Sequence, residues 1–121
     1  MKKALLIVAH GSRRSQSNDE VIELATEVAA SAAHEFNVVK GAFLEIAQPT
    51  IPEVIKSLAE KSIDHIYVVP YFLAAGTHVA NDIPAIIEQA KTDYPQMAFT
   101  LSEHIGSSVM MTSLIIEAAQ S

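Results

Sequence analysis

Residues 5–14 read LLIVAHGSRR. The run Leu5-Leu6-Ile7-Val8-Ala9 is apolar at every position. That is the pattern of a strand covered on both faces, as in a parallel sheet flanked by helices. It stops abruptly at His10-Gly11-Ser12-Arg13-Arg14, a polar loop that holds a histidine, a glycine, a hydroxyl and both arginines of the chain. In open parallel sheets ligands bind beyond the carboxyl ends of the strands. The loop after the first strand is therefore a candidate site.

Outward from this stretch, helical and extended patterns alternate. The first strand is expected over 3–9. From Ser17 the spacing turns helical, with Ser17 or Asn18 as cap, Asp19 and Glu20 near the positive end of the helix dipole, and Val21, Ala25, Val28 and Ala32 as the apolar stripe, flanked by Ile22, Ala29 and Ala33. This helix is expected to end between 34 and 37. A second strand is expected over 38–46, with Gly41 a bulge or a close approach and Glu45 near its end. Thr50 and Glu53 have capping-box spacing, and Pro52 is tolerated in a first helical turn. Ile51, Val54, Ile55 and Leu58 mark a short amphipathic helix to about 61. A third strand over 63–70 leads into the loop 71–78. Asn81 or Asp82 is the expected cap of the next helix, whose buried stripe is Ile83, Ile86, Ile87 and Ala90 and which ends at Tyr94-Pro95. A fourth strand over 97–101 precedes a last helix from 106–108 to 120. Strand–helix alternation of this kind gives βαβ units and a parallel sheet. Right-handed crossovers and short loops then favour a flavodoxin-like strand order 2-1-3-4 in a three-layer α/β/α sandwich, one domain over 1–121.

The last helix is apolar nearly all round: Val109, Met110, Met111, Leu114, Ile115, Ile116, Ala118 and Ala119 encircle it and Glu117 is its one charge. A helix of that kind is buried. Four strands and four helices offer little to bury its second face, so a partner chain is expected.

Composition excludes several classes. Half of the 121 residues are hydrophobic and 18 % are charged, as in a globular chain. A net charge of −6 argues against a nucleic-acid binder, which needs a basic face. There is no apolar run long enough to span a membrane and no leader-like segment, so a cytoplasmic location without membrane association is expected. With no cysteine, disulfides, thiolate zinc sites and Cys nucleophiles are absent. P-loop, dinucleotide and nucleophile-elbow motifs are missing too.

The polar residues that the pattern places at the carboxyl edge of the sheet are His10 after the first strand, Glu45 after the second, His78 after the third, and Glu103 and His104 after the fourth. Singly, each reads as an ordinary surface group, and His34 and His65 keep that reading. Convergence at the ligand-binding edge is what singles out the others. Imidazole with carboxylate suits a borderline divalent metal such as Fe, Co, Ni or Zn. A neutral imidazole would equally accept a proton near neutral pH, and both roles are open on these residues alone.

The motifs A-H-G-S-R-R at 9–14, F-L-E at 43–45, P-T-I-P at 49–52, P-Y-F-L-A-A-G-T-H at 70–78 and D-I-P at 82–84 occur in one order over about two-thirds of the chain. Together they resemble the class II tetrapyrrole chelatases, and among these the short sirohydrochlorin cobaltochelatase type. The resemblance implies ATP-independent insertion of a divalent metal into sirohydrochlorin, with the metal (Co²⁺, or Fe²⁺ or Ni²⁺) as substrate and no organic cofactor. It implies that His10 and His78 bind the metal and help remove pyrrole protons, with Glu45 beside them. Short members are single lobes that pair as homodimers, in accord with the apolar last helix. The implied substrate is a polycarboxylate macrocycle. Ser12, Arg13 and Arg14 are then its expected binding residues, guanidinium being suited to bidentate carboxylate recognition. Ser102-Glu103-His104-Ile105-Gly106 departs from the family pattern, in which a Pro-Leu-Gly-type stretch and a nearby His-Pro follow the fourth strand. A carrier of metal or tetrapyrrole would use the same histidines; turnover separates the two.

Overall fold

The computed structural model of the chain describes residues 1–32 and 34–121; Ala33, which the sequence pattern puts on the first helix, lies outside the described residues. Four parallel strands, β1 (Lys3–Ala9), β2 (Val38–Phe43), β3 (His65–Pro70) and β4 (Ala98–Leu101), form one sheet in the order β2-β1-β3-β4. This is the order expected from short right-handed crossovers. Between the strands run α1 (Ser15–Ser31), α2 (Ile51–Glu60) and α3 (Ile83–Asp93), and α4 (Met111–Gln120) follows the last.

β1 is central, and its uninterrupted apolar run follows from burial on both faces. Ala4, Leu6 and Val8 point into a core shared with Ile51, Val54, Ile55 and Leu58 of α2 and Ile83, Ile87 and Ala90 of α3. Leu5 and Ile7 point the other way, against Ala25 of α1, and Ala9 packs with Val21 and Phe43. No polar or charged residue is buried among the described residues. The expected capping box is present: the Glu53 N–H donates to Thr50 Oγ1 at 3.3 Å and the Thr50 N–H to Glu53 Oε1 at 2.8 Å. That second bond, with the Thr50 hydroxyl beside it, holds the Glu53 carboxyl below its ordinary range. Gly41 is a close approach rather than a bulge, since the β1–β2 register runs through it unbroken and a Cβ there would meet Ile22 at 3.2 Å.

Several boundaries differ from the sequence expectation. α1 begins at Ser15 and carries no side-chain cap; the Asn18 side chain instead accepts from the Ser12 N–H and donates to the Ser12 carbonyl, at 2.9 and 2.8 Å. β2 stops at Phe43, short of 46, because Ile46 takes a left-handed φ of 71° and turns the chain. β3 starts at His65 rather than 63, after another left-handed residue, Ser62, at φ 61°. Asp82 is not a cap: its backbone is helical and its carboxylate is engaged elsewhere. The last helix begins at Met111, after a short 3₁₀ turn at Ile105–Ser107, and no residue of it is buried within the chain. No helix is long and apolar enough to cross a membrane among the described residues.

Candidate metal centre

The carboxyl edge of the sheet brings together three of the side chains singled out by sequence. His10 stands at the end of β1. The β1–β2 ladder extends past both strands, with the Leu44 N–H donating to the Ala9 carbonyl at 2.8 Å and the Glu45 N–H to the His10 carbonyl at 3.0 Å. Glu45 is thereby carried alongside His10. A tight turn follows at once: the Ala47 N–H donates back to the Glu45 carbonyl at 2.8 Å across Ile46. A β-branched residue at positive φ is sterically disfavoured, so this turn is imposed by its surroundings. One of those is Gly11, whose φ of +100° only glycine adopts readily. A Cβ on Gly11 would lie 1.9 Å from the Glu45 carbonyl oxygen. The histidine loop and the glutamate turn are thus pressed together, backbone on backbone.

His78 comes from the loop after β3. It opens a single π-helical turn, His78–Asp82, closed by the Ile83 N–H donating to the His78 carbonyl. Such wide turns recur at functional sites. Here the turn carries Asp82 round to His78, with Nδ1 and Oδ2 at 2.6 Å. A carboxylate only accepts hydrogen bonds. The contact therefore puts a proton on Nδ1 and leaves Nε2 as the ring nitrogen not engaged by Asp82.

The imidazoles of His10 and His78 lie with ring centroids 4.6 Å apart and planes at 36°. His10 Nε2 is 3.8 Å from Glu45 Oε2. His10, Glu45 and His78 each offer one ligand atom, and these atoms all lie within 4.8 Å of one another. His10 Nε2 is buried and has no hydrogen-bond partner, although the His10 and Glu45 side chains as wholes are 41 % and 53 % exposed. Two imidazole nitrogens and a carboxylate oxygen around one point, open on one side, form an incomplete ligand set for a borderline divalent ion with room for further ligands.

The other expected residues fall into two groups. Ser12 is tied into the loop: its Oγ accepts from the Arg14 N–H at 3.0 Å. Arg13 and Arg14 are exposed at the start of α1, and neither guanidinium meets a carboxylate among the described residues; Arg14 Nε donates to Gln16 at 2.9 Å. Glu103 and His104 are not in the cluster. They border a separate concavity of about 300 Å³ with Pro70, Ala75 and Val79; β4 lies two strands from β1, whereas β2 and β3 each pair with β1. Sequence reasoning missed Asp82 as a partner of His78. The signal was the four-residue spacing His78…Asp82, which one helical turn brings together.

Comparison with known proteins places the chain among the following relatives. The chain is 39 % identical over 84 residues to the sirohydrochlorin cobaltochelatase of Methanopyrus kandleri, a match covering 69 % of this chain and 57 % of that protein. It thus spans little more than half of that relative's length. With the sirohydrochlorin cobaltochelatase of Sulfolobus acidocaldarius it is 34 % identical over 116 residues, covering 96 % of this chain and 89 % of the relative. Its fold superposes with a TM-score of 0.83 on the sirohydrochlorin chelatase SirB of Bacillus subtilis subspecies spizizenii, solved in complex with cobalt, at 30 % identity, over 99 % of this chain and 50 % of that one. The CbiX family profile matches residues 4–121. With this match over nearly its whole length, the chain belongs to the CbiX family.

Proposed function

We propose that this chain is a metal chelatase that inserts a divalent ion, Co²⁺ foremost, into sirohydrochlorin without ATP. The observation that carries the reading is the approach of the His10, Glu45 and His78 ligand atoms to within 4.8 Å of one another, in a member of a family whose relatives are named for that reaction. The incoming ion is substrate, held by His10 Nε2 and His78 Nε2. Two pyrrole protons leave as it enters, so a base must stand beside the ring. Glu45, half exposed next to His10, suits that role. Ser12, Arg13 and Arg14 border the same loop and serve the macrocycle's carboxylates, guanidinium matching them in a bidentate way. Histidine and carboxylate donors accept Fe²⁺ and Ni²⁺ as well. The working unit is the single lobe 1–121, cytoplasmic, acting as a homodimer whose second copy closes the open side of the cleft.

An anaerobic assay with sirohydrochlorin and each metal in turn tests the reading. Many product molecules per site are expected with cobalt. A yield that stops at one per site makes the protein a carrier instead, and no product with any metal ends the proposal.

The Asp82 contact gives a second expected result. Asp82→Ala frees His78 to rotate and to change tautomer. Loss of a partner of this kind lowers metal affinity by about 10- to 100-fold. A Co²⁺ titration followed by visible absorption reads the change, with thermal unfolding as the control for folding.

A further inference from the structure

The turn after β2 carries an isoleucine that neither packing nor backbone preference accounts for. Ile46 is 56 % exposed. It is also the central residue of a three-residue turn, with φ 71° and the Ala47 N–H bonded back to the Glu45 carbonyl at 2.8 Å. The positive-φ form of this turn is rare and strained, and a β-branched side chain tolerates it worst. Glycine takes such a backbone freely, and asparagine takes left-handed backbone at small cost. The crowding of Gly11 against Glu45 accompanies the turn, but it does not call for isoleucine at the apex. Strain of this kind collects at ligand sites.

The surroundings say what such a ligand looks like. The Glu45 N–H is bonded to the His10 carbonyl, so Ile46 stands one residue beyond the glutamate, at the carboxyl edge of the sheet. On the other side of β1 the Tyr71 N–H is bonded to the Val8 carbonyl at 2.7 Å, and Tyr71 and Leu73 are exposed too. Away from Met1, Ile22 and the α4 region, Ile46, Tyr71 and Leu73 are the exposed large apolar side chains among the described residues. They gather at the strand ends that flank His10. Apolar groups around a few convergent polar atoms are the make-up of a small-molecule site. The ligand that suits this edge has an apolar body for the isoleucine and an anionic rim for Arg13 and Arg14, both exposed after the His10 loop. A carboxylate-bearing macrocycle has that form.

We propose that Ile46 is a binding residue for the tetrapyrrole, its aliphatic side chain lying against the apolar surface of the ring while Glu45, its neighbour in the chain, faces the pyrrole protons. This inference rests on the proposed function and adds to it a residue that grips the ring and not the ion. Ile46 offers no ligand atom, so its contact acts on the macrocycle alone. That separates it from His10, Glu45 and His78, whose loss is felt by the metal.

Affinity for metal-free sirohydrochlorin and affinity for Co²⁺ alone, each followed anaerobically by absorbance on the full chain, test the inference. Ile46→Asn removes the apolar surface and suits a positive φ. Its affinity for the macrocycle is expected to fall roughly tenfold, the scale of uncovering one aliphatic side chain. Its Co²⁺ affinity is expected to stay unchanged, which also shows an intact fold. Ile46→Leu, which restores an aliphatic group, is expected to recover most of the loss. Unchanged macrocycle affinity in Ile46→Asn overturns the inference. A parallel loss of Co²⁺ affinity overturns it too, because Ile46 then only holds the glutamate turn. So does a lower sedimentation coefficient for the variant, which places Ile46 between copies of the chain. Turnover by the unaltered chain is read separately. If turnover is absent while the macrocycle still binds through Ile46, the chelatase reading falls and this one stands; if the unaltered chain does not bind sirohydrochlorin, both fall.

Discussion

His10→Ala and His78→Ala are each expected to lower the rate of cobalt insertion into sirohydrochlorin at least about 100-fold, the scale of losing one positioned proton-transfer or ligand group. The reason is geometric. His10 Nε2 is a buried nitrogen with no protein partner, and the carboxylate nearest to it is 3.8 Å away. This nitrogen is therefore left for something that arrives from outside. His78 is held from behind by Asp82 at 2.6 Å, so that its other nitrogen is presented forward. With either ring gone, one imidazole and one carboxylate remain, too few to hold an ion in place while the macrocycle's protons leave. Both side chains are 41 % exposed, so thermal unfolding is expected to change little and the loss is one of chemistry. Initial rates followed by the absorbance of the tetrapyrrole under anaerobic conditions check this. Full activity in both variants would remove the assignment of these residues.

Gly11→Ala is expected to be as damaging by a different route. The added methyl would sit 1.9 Å from the Glu45 carbonyl oxygen and 3.1 Å from its carbon. Neither side can yield cheaply. The Glu45 backbone is tied to His10 on one side and to Ala47 on the other, and Gly11 itself is at φ +100°. The expected cost is about 2 kcal/mol or more, which lowers Tm by roughly 10 °C in a chain of this size. Cobalt affinity falls with it, because the displaced segment carries the glutamate. Gly76→Ala is the matching control. Nothing lies within 4 Å of a Cβ there, so Tm is expected to stay within about 2 °C, the effect of a few tenths of a kcal/mol. Differential scanning calorimetry of the two variants reads the contrast directly.

The local grammar of the chain was legible because it depends on near neighbours. The run 5–9 has the pattern of a doubly covered strand, and β1 is one. Thr50 and Glu53 announced a capping box that is present atom for atom. Ile83, Ile87 and Ala90 formed the buried stripe that their spacing required. Where neighbours alone do not decide, the reading slipped. Leu44 and Ile46 extend the strand pattern of β2 past Phe43, yet the chain turns at Ile46, where Gly11 of a different loop lies against the Glu45 carbonyl. Asn81 or Asp82 has the place of a cap before a helix, but a π turn carries Asp82 onto His78. The composition of the last helix predicts burial, its second face against a partner chain, and within one chain neither face is covered: it is exposed from Thr112 onward.

By itself, then, the sequence determined the strands and helices, their parallel arrangement, and which polar residues stand at the carboxyl edge of the sheet. Only the tertiary structure decided which of those residues meet. His10, Glu45 and His78 converge because β2 and β3 both pair with β1, whereas Glu103 and His104 follow β4, two strands away from β1, and stay apart. Periodicity is set by residues a few positions away and can be read along the chain. The distance between two side chains on separate strands is set by strand order, register and the turns beyond the strand ends, and these depend on contacts between segments remote in sequence.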